Sequence, residues 1–350
     1  MAAENTKRWR TVTVEENREI AEGVKRIVLR YDTPQRVKPG THIDLEVPLP
    51  DGTTLSRSYS VVDVSPDGRL LALSVLKVRA SRGGSEAMHT LAPGTALRAT
   101  EPLQNFPLGV GAGRYVLLAG GIGVTAVVGM ARVLKGRGAD YEMVYVGRTR
   151  AVMPYLSELM QEHGERLRVF VGDENPLDID ALLDGIAGSD RVRSTEMYLC
   201  GPIRLMDAVR RGWDHRGLPP TSLRFETFGN SGSWAPQDFL VRIPRLGVQA
   251  RVDANTTMLE ALESLGVDMM YDCRKGECGL CEVRVLDLDG QIDHRDVFLS
   301  QTQREEGQRI CACVSRVVAA GTPLREDPEE ETVDLESAAR NPGVVTIETT

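Results

Sequence analysis

The sequence lacks an excess of positive charge: 42 Lys and Arg stand against 50 Asp and Glu, giving a formal net charge of -8 and a pI near 5.4. That balance excludes a strongly basic nucleic-acid binder, although not a local basic patch. The opening MAAENTKRWR lacks an apolar run ahead of a small-residue cleavage pattern, so no secretory signal is expected and the cytoplasm is the default location. A continuous apolar run of membrane length is missing too. The longest uncharged stretch, Tyr115 to Ala131, is broken by glycines and reads as buried strand, tight turn and buried helix, so no membrane partner is expected. Cysteine is scarce through the first two-thirds. Of six, only Cys200 precedes position 273, which excludes a small secreted disulfide scaffold and gathers the thiols near the C-terminus.

What is present suffices for two to three domains: 350 residues, 41% apolar and 26% charged. The negative charge is uneven. Residues 238–320 hold 14 acidic and 10 basic side chains and residues 321–350 hold 8 and 2, which leaves residues 1–237 slightly positive. Runs such as TVTV, RIVLRY, HIDLEVPLP, YSVVDV and LLALSVLKV, separated by Pro, Gly and Asp, predict antiparallel strands at barrel-like spacing, with a sandwich left open. From Tyr115 onward strand and helix patterns alternate, which predicts a parallel α/β domain. GNSGSWAPQ reads as a short linker. After it, FLVRI and VQARV predict a strand pair. NTTMLEALESLG predicts a helix with Thr257 and Glu260 at capping-box spacing, an apolar face at Leu259, Leu262 and Leu265, and Gly266 at the C-terminal cap. The acidic tail predicts exposure or disorder, although its last apolar letters, VVTIETT, are able to dock as a strand.

Cys273, Cys278, Cys281 and Cys311 have the order C-x4-C-x2-C-x29-C. Three thiolates on one compact loop and a fourth from a distant segment match the ligands of a plant-type [2Fe-2S] site, with Gly276 and Gly279 letting backbone amides turn toward the sulfurs. Structural zinc or a disulfide pair are the other readings of the same cysteines. Cys313, two residues farther on, reads as a buried small side chain, and an alignment that puts it in place of Cys311 stays open.

On these cysteines the last domain resembles the plant-type ferredoxins, and residues 9–320 as a whole resemble the phthalate dioxygenase reductase family. The resemblance implies a multidomain fold: an antiparallel β-barrel flavin domain over 1–110, a parallel α/β nicotinamide-binding domain over 111–229, a linker over 230–237, a C-terminal β-grasp [2Fe-2S] ferredoxin domain over 238–320 and an acidic tail over 321–350. RSYS is similar to the family's flavin motif, with Arg57 on a phosphate, Tyr59 against the isoalloxazine, and Ser58 and Ser60 as polar contacts. A surface arginine with turn serines is the ordinary alternative. LKVRASRGGS is similar to the second flavin segment, which nominates Leu76, Lys77, Gly83, Gly84 and Ser85, while a plain solvent loop would also read RGGS. The match to this family's branch implies FMN, with FAD as the alternative.

GGIGVT follows a strand and precedes a helix. Gly120, Gly121 and Gly123 permit close backbone approach to a pyrophosphate, and Thr125 is placed to cap the helix or meet the ligand. It resembles the GGxGxTP motif of ferredoxin reductases, with Ala126 in place of proline. CGP adds Cys200, Gly201 and Pro202, where the resemblance gives Cys200 a positioning role beside the nicotinamide. In FETFG, Phe225 is chosen as a flavin-facing or nicotinamide-gating aromatic, against the alternative that it fills an interface. Arg148 and Asp173, at α/β strand ends, are candidate ribose or phosphate contacts. Similarity implies NADH, while Arg148 and Arg150 leave NADPH open.

The expected activity is an NADH-dependent reductase in which hydride passes to the flavin and electrons then pass singly to the cluster. The resemblance implies a Rieske-type non-haem iron aromatic oxygenase or O-demethylase as acceptor, with a cytochrome P450 or a separate ferredoxin as the alternative. The acidic third domain predicts a basic docking patch on that partner. A non-catalytic iron-sulfur redox-sensing module is the reading from another functional class, and it leaves the flavin and nicotinamide motifs unexplained.

Overall fold

The computed structural model describes residues 7–49, 52–78, 83–172, 174–228, 232–323 and 342–349. It divides into two compact units, Met1–Glu226 and Thr227–Thr350.

The first unit begins with β1 (Trp9–Ala21), β2 (Val24–Tyr31), β3 (Thr41–Pro48), β4 (Thr54–Ser60), β5 (Asp63–Val64) and β6 (Leu70–Leu76). A short helix α1 (Gly84–Thr90) follows, then β7 (Ala96–Thr100) and β8 (Leu103–Gln104). All pair antiparallel in the order β4-β3-β7-β1-β2-β6-β5, with β8 on β3, and β4 also packs against β6, so the sheet curls on itself. Register irregularities in β1 at Val14/Glu16 and Glu19/Ala21 fit that curl, because a bulge increases local twist. The alternating letters of RIVLRY put Ile27, Leu29 and Tyr31 inside, and the Tyr31 hydroxyl donates to the Thr100 carbonyl at 2.8 Å.

The rest of this unit alternates β9 (Arg114–Gly120), α2 (Val124–Gly136), β10 (Tyr141–Gly147), α3 (Leu156–His163), β11 (Leu167–Val171), α4 (Ile179–Ala187), β12 (Thr195–Cys200), α5 (Ile203–His215) and β13 (Leu223–Glu226). The sheet is wholly parallel in the order β11-β10-β9-β12-β13. Its direction of winding reverses between β9 and β12, the place where such sheets open a crevice beyond their strand ends. The stretch read as strand, turn and helix is β9 and α2, and its residues Leu117, Val124, Val127, Val128 and Met130 are fully buried.

The second unit contains β14 (Phe239–Ile243), β15 (Val248–Val252), α6 (Met258–Ser264), β16 (Glu282–Asp289), β17 (Gln291–Asp293), α7 (Gln301–Glu306), β18 (Arg309–Cys311), β19 (Arg316–Val318) and β20 (Gly343–Glu348). A mixed sheet runs β15-β14-β20-β16-β18, with β17 and β19 as a separate pair. The capping box at α6 forms: Thr257 Oγ1 accepts the Glu260 N–H at 3.1 Å and Glu260 Oε2 accepts the Thr257 N–H at 2.9 Å. Leu259 and Leu262 are buried as the periodicity predicts. Leu265 is 53% exposed, because it stands at the helix C-cap, just before Gly266 turns the chain at φ +75°.

Residues 343–348 take the second of the two readings given for the tail and dock as a strand: β20 is the middle strand, parallel to β14 and antiparallel to β16, with Val345 and Ile347 buried. Residues 232–237 contain no helix or strand, yet they are held by their neighbours. The Ser233 N–H donates to Asp293 Oδ1 at 2.9 Å, Trp234 Nε1 donates to the Thr322 carbonyl at 3.0 Å, and Gln237 is buried. Residues 229–231 and 324–341, which share those two predicted segments, lie outside the described residues.

Candidate functional site

The flavin motif occupies β4, where the register to β3 pairs Arg57 with Leu45, Ser58 with Asp44, Tyr59 with Ile43 and Ser60 with His42. Alternation therefore puts Arg57 and Tyr59 on one face, and Ser58 and Ser60 on the other with Asp44 and His42. On the first face, α1 brings Gly84 to the arginine: a Cβ on Gly84 would lie 3.3 Å from Arg57 Nε. Gly83 holds φ +88°, which a side chain would strain, so the RGGS glycines are needed to bring backbone against the guanidinium. Ser85 Oγ accepts the Val78 N–H at 3.1 Å, Lys77 pairs with Glu86 at 3.5 Å, and Leu76 ends β6 opposite Val24. Burial pushes the Tyr59 phenol up to about 12, so it stays neutral.

On the other face, Ser58 Oγ donates to Asp44 Oδ1 at 2.5 Å, and Lys7 Nζ lies 3.0 Å from Asp44 Oδ2. Ser60 Oγ reaches Glu226 Oε2 at 3.4 Å, a long contact between two buried side chains. Glu226 was not singled out from the sequence, although it lies inside the FETFG motif. Its neighbour across the parallel β12–β13 register is Cys200.

The two nicotinamide motifs meet there. A Cβ on Gly120 would lie 2.6 Å from Pro202 Cδ, and a Cβ on Gly123 would overlap the Cys200 carbonyl. Gly201 packs on the Gly120 backbone, and Gly121 turns at φ +53°. Thr125 does not cap α2, whose N-cap is Gly123; its buried hydroxyl donates to the Ile122 carbonyl at 2.9 Å. Phe225 lies one residue before Glu226 on β13. Strand alternation puts it on the face opposite Glu226, with the Arg210 guanidinium of α5 5.2 Å from its ring. The Arg148 carbonyl lies against Gly172, while Arg150 Nη2 stands 3.5 Å from Glu174 Oε2. Asp173 lies outside the described residues.

In the second unit the loop from Cys273 to Cys281 turns through Arg274 at φ +51°, Gly276 at +77° and Gly279 at +75°. The N–H groups of Lys275, Glu277 and Cys278 consequently converge on Cys273 Sγ, each at 3.4 Å. Gly276 fits against Val314 and the Asp296 backbone, and Gly279 lies under the Phe298 ring. Among the described residues no three His, Cys, Asp or Glu side chains make a single-metal cage. The thiols instead meet in pairs: Cys273 with Cys278, Cys273 with Cys313, and Cys281 with both Cys311 and Cys313. Cys313 thus touches both ends of the loop, whereas Cys311, the residue expected as fourth ligand, meets Cys281 alone. The cause is local. Cys311 ends β18 paired with Glu282 of β16, and the chain then turns, with Ser315 N–H donating to the Cys311 carbonyl at 3.0 Å, which carries Cys313 round to the loop.

The Cys313 thiol, then the loop amides, hold Cys273 down at about 4 against burial. Hydrogen bonds from Cys311 and Cys313 hold Cys281 at about 3. Thiolates so stabilised, ringed by inward amides, are the donor set a soft-metal cluster requires. Burial raises the carboxyl of Glu277, whose Oε1 accepts the Thr227 N–H at 3.0 Å.

Residues 241–318 match the 2Fe-2S iron-sulfur cluster binding domain family. The chain is 35% identical over 315 residues to the toluene-4-sulfonate monooxygenase system reductase subunit of Comamonas testosteroni, covering 87% of this chain and 95% of that one. The phthalate dioxygenase reductase structure, described as a modular structure for electron transfer from pyridine nucleotides to [2Fe-2S], superposes with a TM-score of 0.69 at 25% identity, covering 97% and 98% of the two chains. An intact type IV self-sufficient cytochrome P450 monooxygenase superposes at 0.62 with 34% identity over 97% of this chain, which spans only 41% of that longer one.

Proposed function

The chain belongs to the phthalate dioxygenase reductase family, and from that premise we propose that it uses NADH, FMN and a [2Fe-2S] cluster to reduce a Rieske-type non-haem iron aromatic oxygenase or O-demethylase. It is a flavin- and iron-sulfur-dependent oxidoreductase that supplies an oxygenase with electrons. The observation that carries the proposal is the meeting of the Ser60 hydroxyl with Glu226, directly across from Cys200, which joins the end of the flavin strand to the crevice of the parallel sheet.

When bound, the flavin supplies the exchange between a two-electron hydride donor and a one-electron acceptor, chemistry that no side chain offers. The chain's own residues bind and orient. Arg57 beside Gly84 forms one phosphate cradle, which supports FMN over FAD. Gly120, Gly123 and Gly201 let a dinucleotide approach the backbone, and Cys200 and Glu226 shape the place where its ring would rest. Arg148 and Asp173 are proposed ribose contacts. The pairing of Arg150 with Glu174 supports NADH, because a 2′-phosphate there would meet the carboxylate. Cys273 and Cys278 would hold one iron, and Cys281 with Cys313 the other; the contacts of Cys313 with both Cys273 and Cys281 support it over Cys311.

Anaerobic addition of NADH to holoprotein is expected to bleach the flavin and then the cluster; no reduction by either nicotinamide would sink the proposal. The match to a P450 monooxygenase supports a haem acceptor as the second reading, and turnover with a purified Rieske oxygenase against a P450 separates the two. The acidic excess beyond residue 238 supports docking on a basic patch, so association should slow as salt rises.

A further inference from the structure

The run Asp293-His294-Arg295-Asp296 belongs to none of the cofactor motifs, yet Asp293, Arg295 and Asp296 are buried at 0, 7 and 0% exposure. Asp293 and Arg295 pair with each other: Arg295 Nε and Nη2 donate to Asp293 Oδ2 at 2.7 and 2.6 Å. The remaining capacity of both goes to one stretch of backbone. Asp293 Oδ1 accepts the Ser233 N–H at 2.9 Å, and Arg295 Nη2 donates to the Trp234 carbonyl at 3.2 Å. Gly232 completes the fit, since a Cβ there would overlap Asp293 Oδ2 and Arg295 Nε. Farther along, Arg316 Nη2 donates to the Gln237 carbonyl at 3.0 Å. A buried ion pair stabilises a fold little more than apolar residues of equal volume would, so its effect here is to fix geometry. What it fixes is the peptide 232–237, a part of the second unit that lies along the chain between β13 and β14.

Asp296 holds the segments beside the cysteine loop, and its backbone packs on Gly276 of that loop. It accepts the Leu299 N–H at 2.8 Å and the Ser315 hydroxyl at 3.1 Å, and the Val297 N–H donates to the Gly276 carbonyl at 2.9 Å. The run therefore braces the connecting peptide through Asp293 and Arg295, and the residue after it, Val297, bonds to the cysteine loop.

We propose that the Asp293–Arg295 pair is a clamp that fixes the connecting peptide to the cluster-bearing domain and thereby sets the rate at which electrons pass from flavin to cluster. Both are positioning residues. The kinetic consequence rests on the reductase reading; the clamp on residues 232–237 does not.

Full-length holoprotein carrying Gly232→Ala, Asp293→Asn or Arg295→Gln is compared with the parent by amide hydrogen exchange and by anaerobic stopped-flow reduction with NADH. The parent's Ser233 amide is expected to be protected, and each variant to lose about tenfold or more of that protection. Flavin bleaching keeps its parental rate, cluster reduction slows about tenfold or more, and the cluster's visible spectrum and its reduction by dithionite are unchanged. Gly232→Ala keeps both charges, so it separates the clamp from the loss of a buried ion and decides the matter if the charge variants fail to load cluster. A parental Ser233 amide that exchanges like an exposed one overturns the proposal. So does unchanged protection in Gly232→Ala, or cluster reduction within about twofold of the parent's after protection is lost. Failure of the reductase reading would look different: no flavin bleaching in the parent with either nicotinamide, and an unaltered exchange result.

Discussion

In the nicotinamide half of the first unit the candidate site is built from backbone that comes close because side chains are missing, at Gly120, Gly123 and Gly201. In the second unit it is built from thiols that irregular chain must present, and buried charge holds the segment that packs beside that chain. Among the described residues the first unit buries Asp44 and Glu226 but no arginine, whereas the smaller second unit buries Arg295 and Arg316 with Asp293 and Asp296. The difference follows from what each fold provides. A parallel sheet delivers its strand ends to one crevice through its own hydrogen bonding. The cysteine loop of the second unit has no strand ladder of its own, and directional contacts hold the segments packed against it.

The largest expected effect tests the thiol side of the contrast. Cys313→Ser should abolish the visible and electron paramagnetic signature of the cluster, while Cys311→Ser should retain it, because only Cys313 contacts both Cys273 and Cys281. The reverse outcome would restore Cys311 as ligand and leave Cys313 a core thiol. The backbone side is tested by Gly123→Ala, whose methyl would overlap the Cys200 carbonyl. Flavin reduction by NADH should fall about a hundredfold with the cluster spectrum unchanged. A loss of only a few-fold would mean that close approach at this turn is not what the glycine provides.

Much of this was legible in the letters because it is local. Hydrophobic period separates antiparallel strands from alternating strand and helix, and the Thr257–Glu260 box needs only residues three apart. The choice between Cys311 and Cys313 was not, since it depends on a turn after β18 that two candidate spacings accommodate equally. The pattern of VVTIE reads as a strand, yet its place between β14 and β16 is fixed by partners far away in sequence. Glu226 reads as an ordinary charged letter until Ser60, from another sheet, comes to meet it.

A middle-sized effect belongs at Glu226, a buried acidic side chain of the first unit beside the glycine-built crevice. Glu226→Gln keeps the shape and removes the charge, and flavin reduction should slow roughly tenfold. An unchanged rate would confine that site to backbone and sharpen the contrast with the second unit.

The smallest effect concerns Asp44, the first unit's nearest counterpart to the buried charges of the second. Burial alone would raise its carboxyl, but the Ser58 hydroxyl, Lys7 and His42 outweigh burial and hold it below the usual carboxylate range. A carboxyl more acidic in the folded state than in the unfolded chain contributes stability above the ordinary carboxylate range, and that contribution is lost as pH falls through the depressed value. Asp44→Asn should therefore cost on the order of 1 kcal/mol in urea unfolding at neutral pH, and the gap to the parent should close on acidification. A gap that stays constant with pH would mean that Asp44 acts through shape and its Ser58 hydrogen bond alone. Charge would then fix chain geometry only in the second unit, where Asp293 and Arg295 have no such solvent-exposed partner as Lys7.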